Sequence, residues 1–82
     1  MKKYQLPTLN DVREFYEDEK VYPFAGRLGL WEDFTRLEYI FICAQYAFTI
    51  DRSTLPMKEP RELGDHLVNL VDAEIMSERA VD

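Results

Sequence analysis

The chain has 82 residues, of which 46% are hydrophobic and 13% aromatic, so it is the size of one domain and too apolar for a disordered segment. Sixteen acidic residues against ten basic ones give a net charge of −6. Clustered positive charge for nucleic-acid phosphates or for an anionic membrane is therefore not expected. The composition predicts a single domain over residues 1–82, with no direct nucleic-acid partner and no membrane partner.

Cysteine usage and the first residues favour a cytoplasmic protein. Cys43 is the only cysteine, so an intramolecular disulfide is not expected, and its apolar neighbours favour a buried, inert thiol. Residues 1–7 lack the apolar stretch of a secretory signal. The most apolar run, residues 39–48, has about half the length that a bilayer span requires.

The first predicted helix covers about residues 9–20. Thr8 is its candidate N-cap, and Asp11 follows at the spacing of a weak capping box. A helix of three turns is marginal alone, so it must dock through an apolar face. That face comprises Leu9, Val12, Phe15 and Tyr16.

An aromatic, irregular loop is predicted over residues 21–29, where Pro23 and two glycines interrupt any helical period. One interpretation is that this loop covers the core. The other is that it forms an exposed patch for a protein partner, because aromatic residues and arginine are enriched at binding hot spots. The candidate residues of this patch are Tyr22, Phe24, Arg27 and Trp31.

The second predicted helix, at about residues 31–50, is the centre of the predicted fold. On a helical wheel its apolar residues form two arcs about 100° apart, so it buries on two sides. The first arc comprises Leu30, Phe34, Leu37, Phe41, Ala44 and Phe48, and the second comprises Ile40, Cys43 and Ala47. We expect the first arc to pack on the third helix, and the second arc on the first helix or on another chain.

The third helix is predicted at about residues 60–79, with Pro60 at its first position. Gly64 either allows a close approach to the central helix or marks a later start with Asp65 as the cap. The apolar face comprises Leu63, Leu67, Leu70 and Val71. The predicted fold class is therefore all-α, a small three-helix domain with a central two-sided hydrophobic helix and an aromatic loop before it.

Glu74 and Glu78 continue the apolar face of the third helix, where an unpaired carboxylate is costly to bury. If the core ends near Val71, both side chains project into solvent. Alternatively, they bind a basic residue of a partner protein.

No residue pattern indicates catalysis, a cofactor or a metal site. Phosphate-binding glycine loops, dinucleotide-binding glycine motifs and zinc-protease motifs do not occur in the sequence. His66 follows Glu62 by one helical turn, but a closed zinc site needs four ligands, so a helix-surface pair is the simpler interpretation. We therefore expect a protein that is not an enzyme and carries no cofactor and no metal.

Three functions fit these features. The first is a small acidic protein-binding module that acts as an inhibitor or adaptor of a larger protein, a composition that also suits small phage or mobile-element proteins. The second is a DNA mimic that blocks a basic groove. The third is a self-associating structural or assembly subunit, in which the second arc of the central helix pairs with another chain.

The DNA-mimic hypothesis depends on clustered acids, namely Glu14, Glu17, Asp18, Glu19, Glu32 and Asp33. Duplex DNA of about 30 Å length carries about 18 charges. The net charge of −6 is about a third of that, and basic residues interleave with the acids. A solvated acidic surface that aids solubility is the competing interpretation.

Overall fold

The computed structural model describes residues 6–19 and 31–80, without the side chains of residues 19 and 78–80. These residues form three α-helices and one 3₁₀ turn. In chain order they are α1 (Leu9–Glu19), the 3₁₀ turn (Trp31–Asp33), α2 (Arg36–Thr49) and α3 (Pro60–Ala80). No strand occurs in these two ranges. The predicted all-α fold class is confirmed.

The N-terminus of α1 is capped as the sequence predicts. The backbone N–H of Thr8 donates to the Asp11 carboxylate at 2.8 Å, and the backbone N–H of Asp11 donates to the Thr8 hydroxyl at 3.3 Å. Val12 and Tyr16 are buried, so α1 docks through its predicted apolar face. These reciprocal bonds satisfy donors that the first helical turn leaves without an intrahelical acceptor.

The central helix α2 begins later than predicted, at Arg36, because Thr35 and Glu38 form a capping box. The backbone N–H of Glu38 donates to the Thr35 hydroxyl at 3.2 Å, and the backbone N–H of Thr35 donates to the Glu38 carboxylate at 2.9 Å. Phe34 is buried but precedes the helix, so it does not continue the helical phase of the first arc.

The first arc of α2 packs on α3 only in part, at Ala44, which lies next to Gly64, so the expectation that the whole arc packs on α3 is wrong for Leu37 and Phe48. Leu37 is 79% exposed and Phe48 is 71% exposed. The two tyrosines of α2 are buried instead, because their large rings can join the core while their hydroxyls stay at its edge. The buried hydrophobic residues of α2 are Tyr39, Ile42, Cys43, Tyr46 and Ala47.

The second arc is covered within the chain, so of the two alternatives, the first helix or another chain, the cover by another chain is not needed. Cys43 and Ala47 are fully buried, and Ile40 is half-buried against the core. This burial removes the reason that the sequence offers for self-association through the arc, and self-association itself stays a prediction. The fully buried side chains around it are Val12, Ile42, Leu63, Leu67 and Val71.

The third helix begins at Pro60, as predicted, so the alternative start at Asp65 is wrong. Gly64 faces α2, where an added Cβ would lie 3.8 Å from the Cα of Ala44. The two helices therefore approach closely at this point.

Arg52 holds the connection between α2 and α3. Its guanidinium donates to the carbonyl oxygen of Ala47 and, at 3.3 Å, to that of Ile50. Its Nε also donates to the carbonyl oxygen of Lys58 at 3.2 Å. A cation at this position suits the end of α2, where carbonyl oxygens lack intrahelical donors.

None of the helices in the described ranges has the length and apolar character needed to cross a membrane.

Candidate functional site

Of the predicted aromatic patch, only Trp31 belongs to the described residues; Tyr22, Phe24 and Arg27 lie outside them. Trp31 is buried, with 3% of its surface exposed. Its ring centroid lies 6.1 Å from that of Phe34, which in turn lies 5.6 Å from Tyr16 in an edge-to-face arrangement. Trp31 therefore belongs to an aromatic cluster of the core.

Glu74 has a basic partner within the chain. Arg13 of α1 donates to the Glu74 carboxylate at 2.9 Å, and its guanidinium carbon lies 5.5 Å from the Trp31 ring centroid. The arginine that a partner protein was expected to supply is thus supplied by α1. The side chain of Glu78 lies outside the described residues, and a partner-binding role for Glu74 and Glu78 stays a prediction.

Three buried donors of the aromatic cluster find no acceptor among the described residues. They are the Nε of Arg13, the hydroxyl of Tyr16 and the indole Nε1 of Trp31. A buried donor without an acceptor costs about 1–3 kcal/mol, so this cluster is held by ring packing and not by its polar atoms.

The acids of the DNA-mimic hypothesis that the structure describes are exposed. On α1 these are Glu14, Glu17 and Asp18, and in the 3₁₀ turn they are Glu32 and Asp33, while the side chain of Glu19 is outside the description. Glu14 accepts a hydrogen bond from Asn10 at 3.4 Å. Exposure is required both for phosphate mimicry and for a solvated acidic surface, so it does not separate the two interpretations.

A polar cluster between α2 and α3 is centred on Asp72. Its carboxylate accepts hydrogen bonds from the Tyr39 hydroxyl and, at 3.2 Å, from Arg36. Burial and the bond to Asp72 raise the pKa of Tyr39. Burial, with a smaller contribution from the Asp72 charge, raises the pKa of the Cys43 thiol to about 12. Because the thiolate is the nucleophilic form, Cys43 is chemically inert at neutral pH.

Glu62 and His66 lie one turn apart on α3, with Glu62 exposed and His66 half-buried. Across residues 6–19 and 31–80, no three acidic, histidine or cysteine side chains converge in a way that could hold a metal ion.

Two large hydrophobic side chains are exposed on one side of α2, the outer face, which we define as Leu37, Phe41, Ala44 and Phe48. Leu37 and Phe48 are exposed at its two ends, whereas Phe41 and Ala44 are half-buried between them. These residues follow one another at steps of four, three and four, so they lie in one row along the helix. The sequence identifies this row as the first arc but assigns it to the core.

A groove of about 440 Å³ runs beside the outer face, between α2 and the start of α3. Its apolar lining comprises Ile40, Ala44, Phe48, Pro60, Gly64 and Val68. Glu59, Arg61 and Asp65 are its charged residues. The groove therefore extends the apolar surface of α2 onto α3 and surrounds it with charge, which is the usual composition of a protein interaction site.

Comparison of the chain with protein-family models, curated proteins and solved structures finds no match.

Proposed function

We propose that this chain is a small, non-enzymatic protein-binding module and that the outer face of α2 is its binding surface. The observation that carries the proposal is the exposure of Leu37 and Phe48, at 79% and 71%, on the helix whose opposite side forms the core. Single exposed apolar residues need no explanation. A continuous apolar row on a rigid central helix is different, because its burial by a partner releases free energy without ordering a flexible segment.

The spacing of the outer face favours a helical partner. Steps of four, three and four residues match the two apolar positions of a heptad, whose side chains fit between those of a facing helix. The row from Leu37 to Phe48 is about 16 Å long at a rise of about 1.5 Å per residue. An inhibitor or adaptor that engages a helix of a larger protein would use such a surface.

DNA mimicry is the second candidate, and it would use the exposed carboxylates of Glu14, Glu17 and Asp18 on α1. Binding through these carboxylates would be electrostatic and would weaken as salt concentration rises. Binding through the outer face of α2 would persist at high salt, because apolar burial is not screened by ions.

The test is affinity capture from a native-host lysate with immobilised protein, at about 0.1 and 0.5 M salt, which differ in screening length. The bait proteins are the unmodified chain, the Leu37→Glu/Phe48→Glu variant and the Asn69→Glu variant. Asn69 is exposed on α3, so its substitution adds a charge away from the outer face. We expect the unmodified chain and the Asn69→Glu variant to retain a partner protein in stoichiometric amount at both salt concentrations. The Leu37→Glu/Phe48→Glu variant should retain none. A further copy of this chain counts as a partner protein.

If the Leu37→Glu/Phe48→Glu variant still retained the partner protein, the outer face of α2 would not be the binding surface. Retention that disappears at the higher salt, with nucleic acid as a competitor at the lower salt, would instead support the DNA-mimic candidate. Circular dichroism of each variant checks that helicity is unchanged, which we expect because both substituted positions are exposed.

A further inference from the structure

We infer that the outer face of α2 binds the same face of a second copy of this chain, with the two α2 helices antiparallel. This inference rests on the proposed function, because it names the partner of the surface proposed there. It differs from the self-association that the sequence suggests, which used the neighbouring arc of Ile40, Cys43 and Ala47, about 100° around the helix.

The first argument is the symmetry of the row itself. A two-fold axis perpendicular to α2, between residues 42 and 43, exchanges Leu37 with Phe48 and Phe41 with Ala44. In such a pair the exposed Leu37 contacts the exposed Phe48 of the second copy at both ends. In the middle, the bulky and half-buried Phe41 faces the small Ala44 of the second copy. Each layer thus combines a larger ring with a smaller side chain, as packing of two helices requires.

The second argument is charge. A chain with a net charge of −6 repels its own copies wherever acidic side chains meet. Between residues 37 and 50 the only charged residue is Glu38, and its carboxylate is buried, where it accepts from the backbone N–H of Thr35. Along α2 itself, two copies therefore bring no carboxylates together, whereas α1 carries exposed acids and the groove beside the outer face carries Glu59 and Asp65.

The third argument is the surroundings of the row. Gln45 is exposed on one flank and half-buried Ile40 lies on the other, next to the groove between α2 and α3. The two-fold axis places the Gln45 flank of one copy beside the Gln45 flank of the other, and the Ile40 flank beside the Ile40 flank. The interface therefore has an apolar centre, a neutral edge on the Gln45 side, and groove residues of both charge signs, Glu59, Arg61 and Asp65, on the Ile40 side.

The oligomeric state provides the first test. Sedimentation equilibrium from about 1 to 300 µM should show a monomer–dimer equilibrium for the unmodified chain, the range in which small helical interfaces associate. Leu37→Glu and Phe48→Glu should each shift the dissociation constant upward by at least about tenfold, because each places two carboxylates in an apolar interface. Asn69→Glu should leave it within about twofold, since Asn69 is exposed on α3 and belongs neither to the outer face nor to the lining of the groove. A monomer throughout this range for the unmodified chain would overturn the inference.

Disulfide cross-linking provides the second test, in a Cys43→Ala background. Each protein then carries a single cysteine, at residue 37 or at residue 48. Any cross-link is therefore intermolecular. We expect an equimolar mixture of the Leu37→Cys and Phe48→Cys proteins to form a covalent dimer faster than either protein alone. Faster cross-linking of Leu37→Cys to itself would indicate a parallel pair and would overturn the antiparallel arrangement.

The two proposals fail in different ways. If the unmodified chain is a monomer but retains another protein through Leu37 and Phe48, the homodimer is wrong and the proposed function stands. If it neither dimerises nor retains a protein through these residues, both are wrong.

Discussion

The hydroxyls of Tyr16 and Tyr39 are both at the core, but only one has an acceptor among the described residues. Tyr39 donates to Asp72, whereas the buried Tyr16 hydroxyl has no partner. Removing a buried hydroxyl that has no acceptor breaks no hydrogen bond, and it removes the cost of keeping that hydroxyl away from water. We therefore predict that Tyr16→Phe leaves the free energy of unfolding unchanged within about 0.5 kcal/mol or raises it, while Tyr39→Phe lowers it by about 2 kcal/mol. Urea denaturation measures both.

The tyrosine pair is its own control, because each variant removes one oxygen atom and leaves the ring in place. Equal losses of stability in the two variants would mean that the hydroxyls act through packing and not through hydrogen bonding.

Cys43 makes the stability of the fold sensitive to alkaline pH. Its thiol is fully buried, and burial raises its pKa from 9.0 to about 12. A group whose pKa is higher in the folded state stabilises the fold below its unfolded pKa, and this contribution is lost as pH rises toward the folded pKa. The window for Cys43 is therefore pH 9 to about 12.

The Cys43→Ala variant isolates this contribution. We predict that the unmodified chain loses on the order of 2 kcal/mol more stability between pH 8 and about 10.5 than the variant does, at about 1.4 kcal/mol for each unit of pKa difference. Tyr39 and Tyr46, whose pKa values are also raised by burial, are present in both proteins and cancel in the comparison. If the urea midpoints of the two proteins fell in parallel as pH rises, the loss of stability would not come from the Cys43 thiol.

At the scale of elements, the start of α2 depends on the capping box of Thr35 and Glu38. Thr35→Ala removes the hydroxyl that accepts from the Glu38 backbone N–H, and we predict a loss of about 1 kcal/mol in the free energy of unfolding. Thr49→Ala is the matched control at the other end of the helix. The Thr49 hydroxyl is exposed and donates to the carbonyl oxygen of Gln45, so its loss should cost less than about 0.5 kcal/mol. Thermal unfolding of both variants measures the two losses of stability. Equal losses would mean that the Thr35 cap stabilises α2 no more than the exposed Thr49 hydroxyl does.

The first residues of α1 and α3 could be predicted from the sequence because local chemistry defines where each helix begins. Thr8 with Asp11, and Pro60 at a first helical position, act within one turn of the chain. The start of α2 carries an equally local signal in Thr35-Arg36-Leu37-Glu38. The unbroken apolar pattern around it obscured that signal, because Trp31 and Phe34 are buried without belonging to the helix.

The orientation of α2 could not be predicted from its apolar pattern. Tyrosines count weakly in a search for apolar arcs, yet Tyr39 and Tyr46 are both buried and Phe48 is exposed. Tyr39 has a polar partner in Asp72 of α3, a contact that the pattern of α2 alone does not contain. The outer face of α2 was therefore visible in the sequence as an arc, but its exposure follows only from tertiary packing.

At the scale of the whole molecule, the net charge makes the two proposed modes of binding, apolar contact and DNA mimicry, respond to salt in opposite directions. Two chains of −6 each repel one another, and added salt screens that repulsion. An apolar contact between outer faces should therefore tighten as salt rises, since burial of apolar surface is not screened. A phosphate mimic in a basic groove should weaken, because its attraction is the term that salt removes.

We predict that the dissociation constant of the homodimer falls severalfold between about 0.05 and 0.5 M sodium chloride, a range over which the screening length drops from more than about 10 Å to about 4 Å. Sedimentation equilibrium at each salt concentration measures it, and the Asn69→Glu variant, with one more negative charge per chain, should show the steeper dependence. The Leu37→Glu/Phe48→Glu variant should remain monomeric at low salt, because four additional carboxylates per dimer would then meet in the interface. A dimer that dissociates as salt rises would be held by charge, and Leu37 and Phe48 would not be its contact.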